Sequence, residues 1–214
     1  MPQTVLYLVL LMTAGAAGAG LAAGRRLPPA TAVLFGLVAV VSGLQLTVAP
    51  GLFEALRRDR SAIAHGEVWR LVTSCFVQDG GWPGTIFNLL ALAVLGTMAE
   101  RLWGTARWLL LALVVQVLGG LWGLVVQPVG GGTSLVDFGL AASLAVGALT
   151  LGSGHRPRVA AAVTLLAALA LLVLGDIHGG AATAGAAGGA LLALERRRAT
   201  LPRWPRSPGR SRSM

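Results

Sequence analysis

The chain has 214 residues, 55% of them hydrophobic and only 12% charged, with a formal net charge of +9. Soluble domains carry about 25% charged residues, so a soluble globular protein is excluded and a polytopic, all-α membrane protein is indicated. The charge does not mark a nucleic-acid partner, because the basic residues are arginines in short clusters between apolar runs, the pattern that sets membrane topology, and no folded domain is left over to display a basic face.

Taken in order, Val5 to Ala23 is an apolar run rich in Ala and Gly. No basic stretch precedes it and Arg25-Arg26 follow it, so it reads as an uncleaved helix rather than a signal peptide. Residues 1–26 are thus expected to form an N-terminal transmembrane helix, residues 27–198 a membrane domain and residues 199–214 a disordered, basic, cytoplasmic tail. A second span covers Ala30 to Val48 and stops at Pro50-Gly51. Residues 51–84 are too polar to cross a bilayer, yet they carry Phe53, Val68, Trp69 and Phe76. A structured loop at the membrane interface fits that mixture, since Trp is enriched there. Further spans are expected over Thr85–Leu102, Arg107–Val126, Ser134–Leu151, Val159–Leu174 and Ile177–Leu194. The arginines at 25–26, 101, 107, 156, 158 and 196–198 then fall on one side, the cytoplasm, and the C-terminus with them. Ser134 and His178 both lie near the outer face, each opening a span. Cys75 stands alone, which excludes an intramolecular disulfide and a cysteine metal cluster.

Polar groups in membrane segments are functional candidates. Ser134 shares a helical face with Ala141, Ala145 and Ala148, and His178 with Ala182, Gly185 and Gly189. Small stripes let helices approach closely, and two such faces in contact would bring the serine hydroxyl to the imidazole. A Ser–His pair within hydrogen-bond reach is the minimal activated nucleophile. The bland alternatives are that Ser134 is only a helix N-cap and that His178 only anchors a turn.

Ordered motifs between Glu67 and the last span separate these readings. Gly66-Glu67-Val68-Trp69-Arg70, Asn88, Gly96 with Glu100, Arg101 and Gly104, Gly132-Thr133-Ser134, Phe138-Gly139 and His178 occur in one succession. In this the chain resembles the rhomboid family of intramembrane serine proteases. The resemblance implies a six-helix core with one extra N-terminal helix. It implies Ser134 as nucleophile and His178 as general base, with the Asn88 amide and the Ser134 N–H stabilising the oxyanion. Trp69, Arg70, Glu100, Arg101, Gly104, Gly132 and Gly139 would be structural, with Glu100 bracing a neighbouring loop. It implies no cofactor and no metal. The partners would be transmembrane protein substrates and the bilayer, with no nucleic acid; the composition suggests a bacterial plasma membrane. Oligomeric state is not encoded.

Three departures from the family pattern stand out. Gly84 occupies the position, four residues before Asn88, where a histidine is expected to assist the oxyanion hole; Gln78 or water is the candidate substitute. Loss of one such donor costs about 10²–10³ in rate. Leu135 replaces a small residue after the nucleophile. Asp137, about 60° round the helix from Ser134, is unexpected, and contact with the His178 region is anticipated. Asp176 lies about 200° from His178 on an ideal helix, so it is expected to face elsewhere and to cap the last helix. His65 and His155 are assigned no chemistry. The alternatives are an inactive rhomboid-like protein that binds membrane segments and a transporter or channel, although no internal repeat is present.

Overall fold

In the computed structural model, which describes residues 2–19, 21, 28–152 and 154–200, six helices are long and apolar enough to cross a bilayer. They are α2 (Pro29–Thr47), the continuous helix α6–α7 (Gly81–Ala91 and Thr97–Trp103, joined by a π-helical turn at Leu92–Gly96), α8 (Thr105–Val126), α9 (Ser134–Leu151), α10 (His155–Val173) and α11 (Ile177–Thr200). A shorter apolar helix, α1 (Pro2–Gly18), precedes them. The expected first span is therefore shorter where it is described, and its end at 22–23 lies outside the described residues. Helix α11 runs on through Ala199 and Thr200, and the expected tail from 201 onward also lies outside them.

Sequence accounts for the main boundaries. Pro29 stands in the first turn of α2, where a missing N–H costs nothing, behind an extended Pro28. Two of the free first-turn amides of α2 are taken by a distant residue: Glu100 accepts from Ala30 N at 3.1 Å and Thr31 N at 2.7 Å. Its carboxylate also accepts from the Thr31 and Thr105 hydroxyls. Glu100 thus braces a helix start rather than only a loop, tying α2 to the α7–α8 corner. That corner turns at Gly104, whose φ of +84° is a conformation glycine adopts at no steric cost.

Helix α9 is the centre of the bundle, with 72% of its span buried, against 28% for α2, α6–α7 and α10. The outer helices keep exposed Leu and Val, such as Leu37, Leu90, Leu166 and Leu169, on faces suited to lipid. Helix α1 is inserted beside the core rather than loosely attached. Leu10, Ala14 and Ala17 are fully buried, and Thr13 Oγ1 lies 2.8 Å from Thr164 Oγ1 of α10.

The small-residue stripe on α11 is used as expected, but its partner on α9 is different. A Cβ added at Gly185 would sit 2.0 Å from Gly139 O, and one at Gly189 would sit 2.8 Å from Ser143 Cα. Ala145 and Ala148 pack instead with Ala17 of α1 and Ala161 of α10. The α11 glycines therefore lie against the Gly139 and Ser143 side of α9.

The 51–84 segment is folded, as its apolar content requires. It contains α3 (Gly51–Leu56), strand β1 (Arg58–Asp59), α4 (Arg60–Ala64) and α5 (Arg70–Thr73). Strand β1 pairs antiparallel with β2 (Val129–Gly130), placing Arg58 opposite Gly130. Arg70 holds the segment: its guanidinium donates to Glu67 at 2.6 Å, to Glu54 O at 2.7 Å and to Arg57 O at 3.1 Å. Trp69 beside it is 53% exposed, at the periphery. The two strands thereby fasten the loop to the turn that leads into Ser134.

Candidate active site

Ser134 is the first residue of α9. Thr133 precedes it at the cap position and makes no side-chain capping bond. The serine hydroxyl is therefore left for other use, and Ser134 Oγ lies 3.0 Å from His178 Nε2. Glycines beside His178 let α11 pack closely on its other neighbours: a Cβ at Gly179 would meet Leu172 N of α10 at 2.2 Å, and one at Gly180 would meet the Trp122 ring of α8 at 2.3 Å. The imidazole packs against two aromatic rings that also touch each other, Phe138 at 4.4 Å and Tyr7 at 4.6 Å between centroids.

Asp176 corrects one expectation. It does cap α11, accepting from His178 N at 2.9 Å, but it does not face away. The same oxygen, Oδ1, lies 2.8 Å from His178 Nδ1. Helical phase misleads here because Asp176 precedes the helix, in the turn after Gly175, whose φ is +67°. Trp122 Nε1 donates to Asp176 O at 3.0 Å and Asp176 N donates to Leu171 O at 2.9 Å, which fixes the turn. Burial raises the Asp176 pKa, but hydrogen bonds from His178 and Tyr7 outweigh it and hold the carboxyl below the usual range. A carboxylate only accepts, so His178 Nδ1 carries a proton, and Nε2 faces the Ser134 hydroxyl.

A second group converges from α6. The space into which a Gly132 Cβ would project is 3.3 Å from Gln78 Oε1, 3.5 Å from Asn88 Nδ2 and 3.5 Å from Ser134 Oγ. Only glycine leaves that space open. Asn88 Nδ2 donates to Gln78 Oε1 at 2.8 Å, which orients the Asn88 amide. Gln78 is itself fixed, because its backbone N–H and C=O are both bonded to the Gln45 side chain at 2.8 and 2.7 Å. Gly132 N donates to Ser74 O at 2.8 Å, holding the loop beside the nucleophile. At Gly84 an added Cβ would meet nothing within 4 Å, so that position is open space. A cavity of about 80 Å³ opens next to Ser134 and His178, walled by Arg58, Asp79, Gln127 and Ile177. It is polar and large enough for water. Arg58 is buried there and donates to Gln127 O at 2.8 Å.

The Rhomboid domain family model matches residues 65–197. This chain belongs to the rhomboid family. A similar stretch also occurs in Rhomboid protease GluP of Bacillus subtilis (strain 168), 39% identical over 71 residues, which is 33% of this chain and 14% of that protein. The rhomboid core is thus an integral, multi-pass, all-α membrane domain, and the catalytic, oxyanion and motif residues named from the sequence all fall inside the matched region. Of the motif residues, Gly139 has a packing role as well as a sequence role, since a Cβ there would lie 2.2 Å from Val115 Cγ1 of α8. Arg101 lies half-buried at the end of α7, at the far end of the bundle from Ser134.

Asp137 does not reach His178. It is 1% exposed, and neither carboxyl oxygen finds a hydrogen-bond partner among the described residues. It lies near enough to Cys75 to act on that thiol electrostatically. A buried polar group without a partner costs about 1–3 kcal/mol. Asp137→Leu, which keeps the branching but puts methyl groups in place of the two oxygens, is therefore expected to raise stability by about that amount, read as a higher Tm in detergent, while leaving serine reactivity within about threefold. Cys75 is no competing nucleophile, because burial pushes its thiol up to about 12.

Three participants were not singled out from the sequence. Gln45 could have been found as a polar residue in an apolar span. Arg58 was one of several loop arginines, and only strand pairing puts it in the cavity. Tyr7 lies in a helix that carries none of the family motifs.

Proposed function

We propose that the protein is an intramembrane serine endopeptidase that cleaves transmembrane protein substrates with a Ser134–His178 pair. The observation that carries this reading is the 3.0 Å contact between Ser134 Oγ and His178 Nε2 beside an open polar cavity. In the proposed cycle His178 Nε2 takes the hydroxyl proton as Ser134 Oγ attacks the scissile carbonyl. The oxyanion forms in the space left by Gly132, within reach of the Asn88 amide and of the Ser134 N–H. That N–H is one of the unpaired first-turn amides of α9, at the helix end that favours negative charge. Imidazolium then gives its proton to the leaving amine. Water from the cavity hydrolyses the acyl-enzyme, with His178 again as base. Gln78 compensates in part for Gly84, by fixing the orientation of the Asn88 donor rather than by donating itself.

The arginines support an outward-facing site. Arg107 pairs with Glu195 at 3.3 Å, and Arg196 lies over the Trp103 ring, at the opposite end of the bundle from Ser134. The positive-inside rule makes that end cytoplasmic, with the C-terminus, and sets cleavage near the outer face of what composition suggests is a bacterial plasma membrane.

The test is reaction of the purified, detergent-solubilised protein with a fluorophosphonate probe, followed by mapping of the modified peptide. Modification at Ser134 is expected, together with cleavage of a model transmembrane peptide. A folded protein that neither labels nor cleaves would sink the protease reading in favour of the inactive, segment-binding alternative.

A further inference from the structure

Helix α1 lies outside the region matched by the family model, yet it reaches the reacting groups. Tyr7 Oη donates to Asp176 Oδ2, the oxygen of that carboxylate that His178 does not use. The Tyr7 ring also packs edge-on against Phe138, 5.3 Å between centroids, as well as against His178. We propose that Asp176 and Tyr7 are positioning residues that extend the Ser134–His178 pair into one hydrogen-bonded chain, so that α1 is a working part of the active site. This rests on the protease reading above.

The geometry divides the labour. Asp176 Oδ1 receives both the backbone N–H and the Nδ1 proton of His178, so the carboxylate holds the ring and its tautomer together. A carboxyl group used on one side only is free to turn about its last bond. The Tyr7 hydroxyl on Oδ2 removes that freedom and leaves Oδ1 aimed at the imidazole. The Tyr7 and Phe138 rings packed against His178 restrict its rotation, so Nε2 stays on Ser134. When the imidazole takes the serine proton it becomes a cation 2.8 Å from a carboxylate that is 7% exposed. Charge-assisted contacts of this kind are about twice as strong as neutral ones, and the chain acts where charge develops. Tyr7 is held in place independently of Asp176, because α1 is anchored by its buried Leu10, Ala14 and Ala17 and by the Thr13–Thr164 contact.

The experiment uses the full-length protein in detergent, with the rate of fluorophosphonate labelling and the kcat and KM for a fluorogenic transmembrane peptide as readouts. Tyr7→Phe keeps the ring and deletes the hydroxyl. It is expected to lower kcat and the labelling rate about 10-fold, with KM and Tm little changed. Asp176→Asn is expected to lower kcat about 10³-fold. In the Asp176→Asn background, Tyr7→Phe is expected to have no further effect, because a relay is lost once and not twice. Met12→Ala, at an exposed position of α1 that takes no part in anchoring the helix, is expected to leave kcat unchanged. Tyr7→Phe behaving as wild type would overturn the proposal, as would losses that multiply in the double variant or an equal loss from Met12→Ala. An inert wild-type protein would overturn the protease reading and this extension with it; an active wild type with an unaffected Tyr7→Phe would overturn the extension alone.

Discussion

His178→Ala is expected to lower peptide cleavage and fluorophosphonate labelling by about 10⁴–10⁶-fold without unfolding the protein. Among the described residues, His178 Nε2 is the group that hydrogen-bonds Ser134 Oγ, so the variant leaves a serine with no base. The loss is kinetic rather than structural for a specific reason. The backbone N–H of residue 178 still caps onto Asp176 Oδ1, and Tyr7 still donates to Oδ2, so the carboxylate keeps partners in the variant. Truncation leaves space beside Phe138 and Tyr7, for which a decrease of about 2 kcal/mol in stability is the scale. Ser134→Ala should abolish labelling, and the double variant should be no worse than either single one, because residues that act as a unit fail together. Measuring kcat alongside Tm separates the two effects. A His178→Ala protein that labels at the wild-type rate would show that Ser134 is activated by something else.

Gly185→Ala is expected to reduce activity by more than about 100-fold and to lower stability by about 3 kcal/mol, although it adds one methyl group far from the reacting atoms. That methyl would sit 2.0 Å from Gly139 O and 2.5 Å from Gly139 Cα. Both are backbone atoms of the central helix and cannot turn aside, so α11 has to move off α9. A shift of about 1 Å at the reacting groups is enough for a 100-fold loss, and His178 travels with α11. The comparison is Gly43→Ala in α2, where an added Cβ meets nothing within 4 Å. It is expected to stabilise by about 0.5–1 kcal/mol, the ordinary gain of Ala over Gly in a helix, with full activity. Thermal denaturation and labelling rate of the two variants, side by side, test whether close approach of α9 and α11 sets the Ser–His distance.

How far the site could be read in advance depended on the kind of residue. The Ser134 and His178 positions were legible because a polar group at the start of an apolar helix stands out, and the ordered motifs tied them to a family. The α9 boundaries, Ser134–Leu151, were legible for the same reason: glycines and a loop on each side bracket a run of apolar residues. Asp176 was misjudged because the helical rule of 100° per residue was applied to a residue that the structure leaves outside the helix. Asp137 differs in the other direction: nearness in sequence to Ser134 suggests nearness to His178, but its carboxyl oxygens make no hydrogen bond to it. The partner of the α11 glycine stripe was missed because periodicity gives a face for each helix and not the angle at which two faces cross.

The sequence by itself determined the all-α membrane class, the six long apolar spans that follow the first helix, and Ser134 and His178 as the pair proposed here for nucleophile and base. The class and the spans follow from hydropathy, which acts over a few turns of chain; the pair follows from the ordered motifs shared with the rhomboid family. Only the tertiary structure decided that Gln45 and Gln78 support Asn88, that Arg58 enters the cavity, and that Tyr7 reaches Asp176 across 169 residues of sequence. Those contacts join segments with no periodic relation to one another. They exist because of how separate segments pack: strand pairing carries Arg58, burial of α1 carries Tyr7, and bonds from the Gln45 side chain hold the Gln78 backbone.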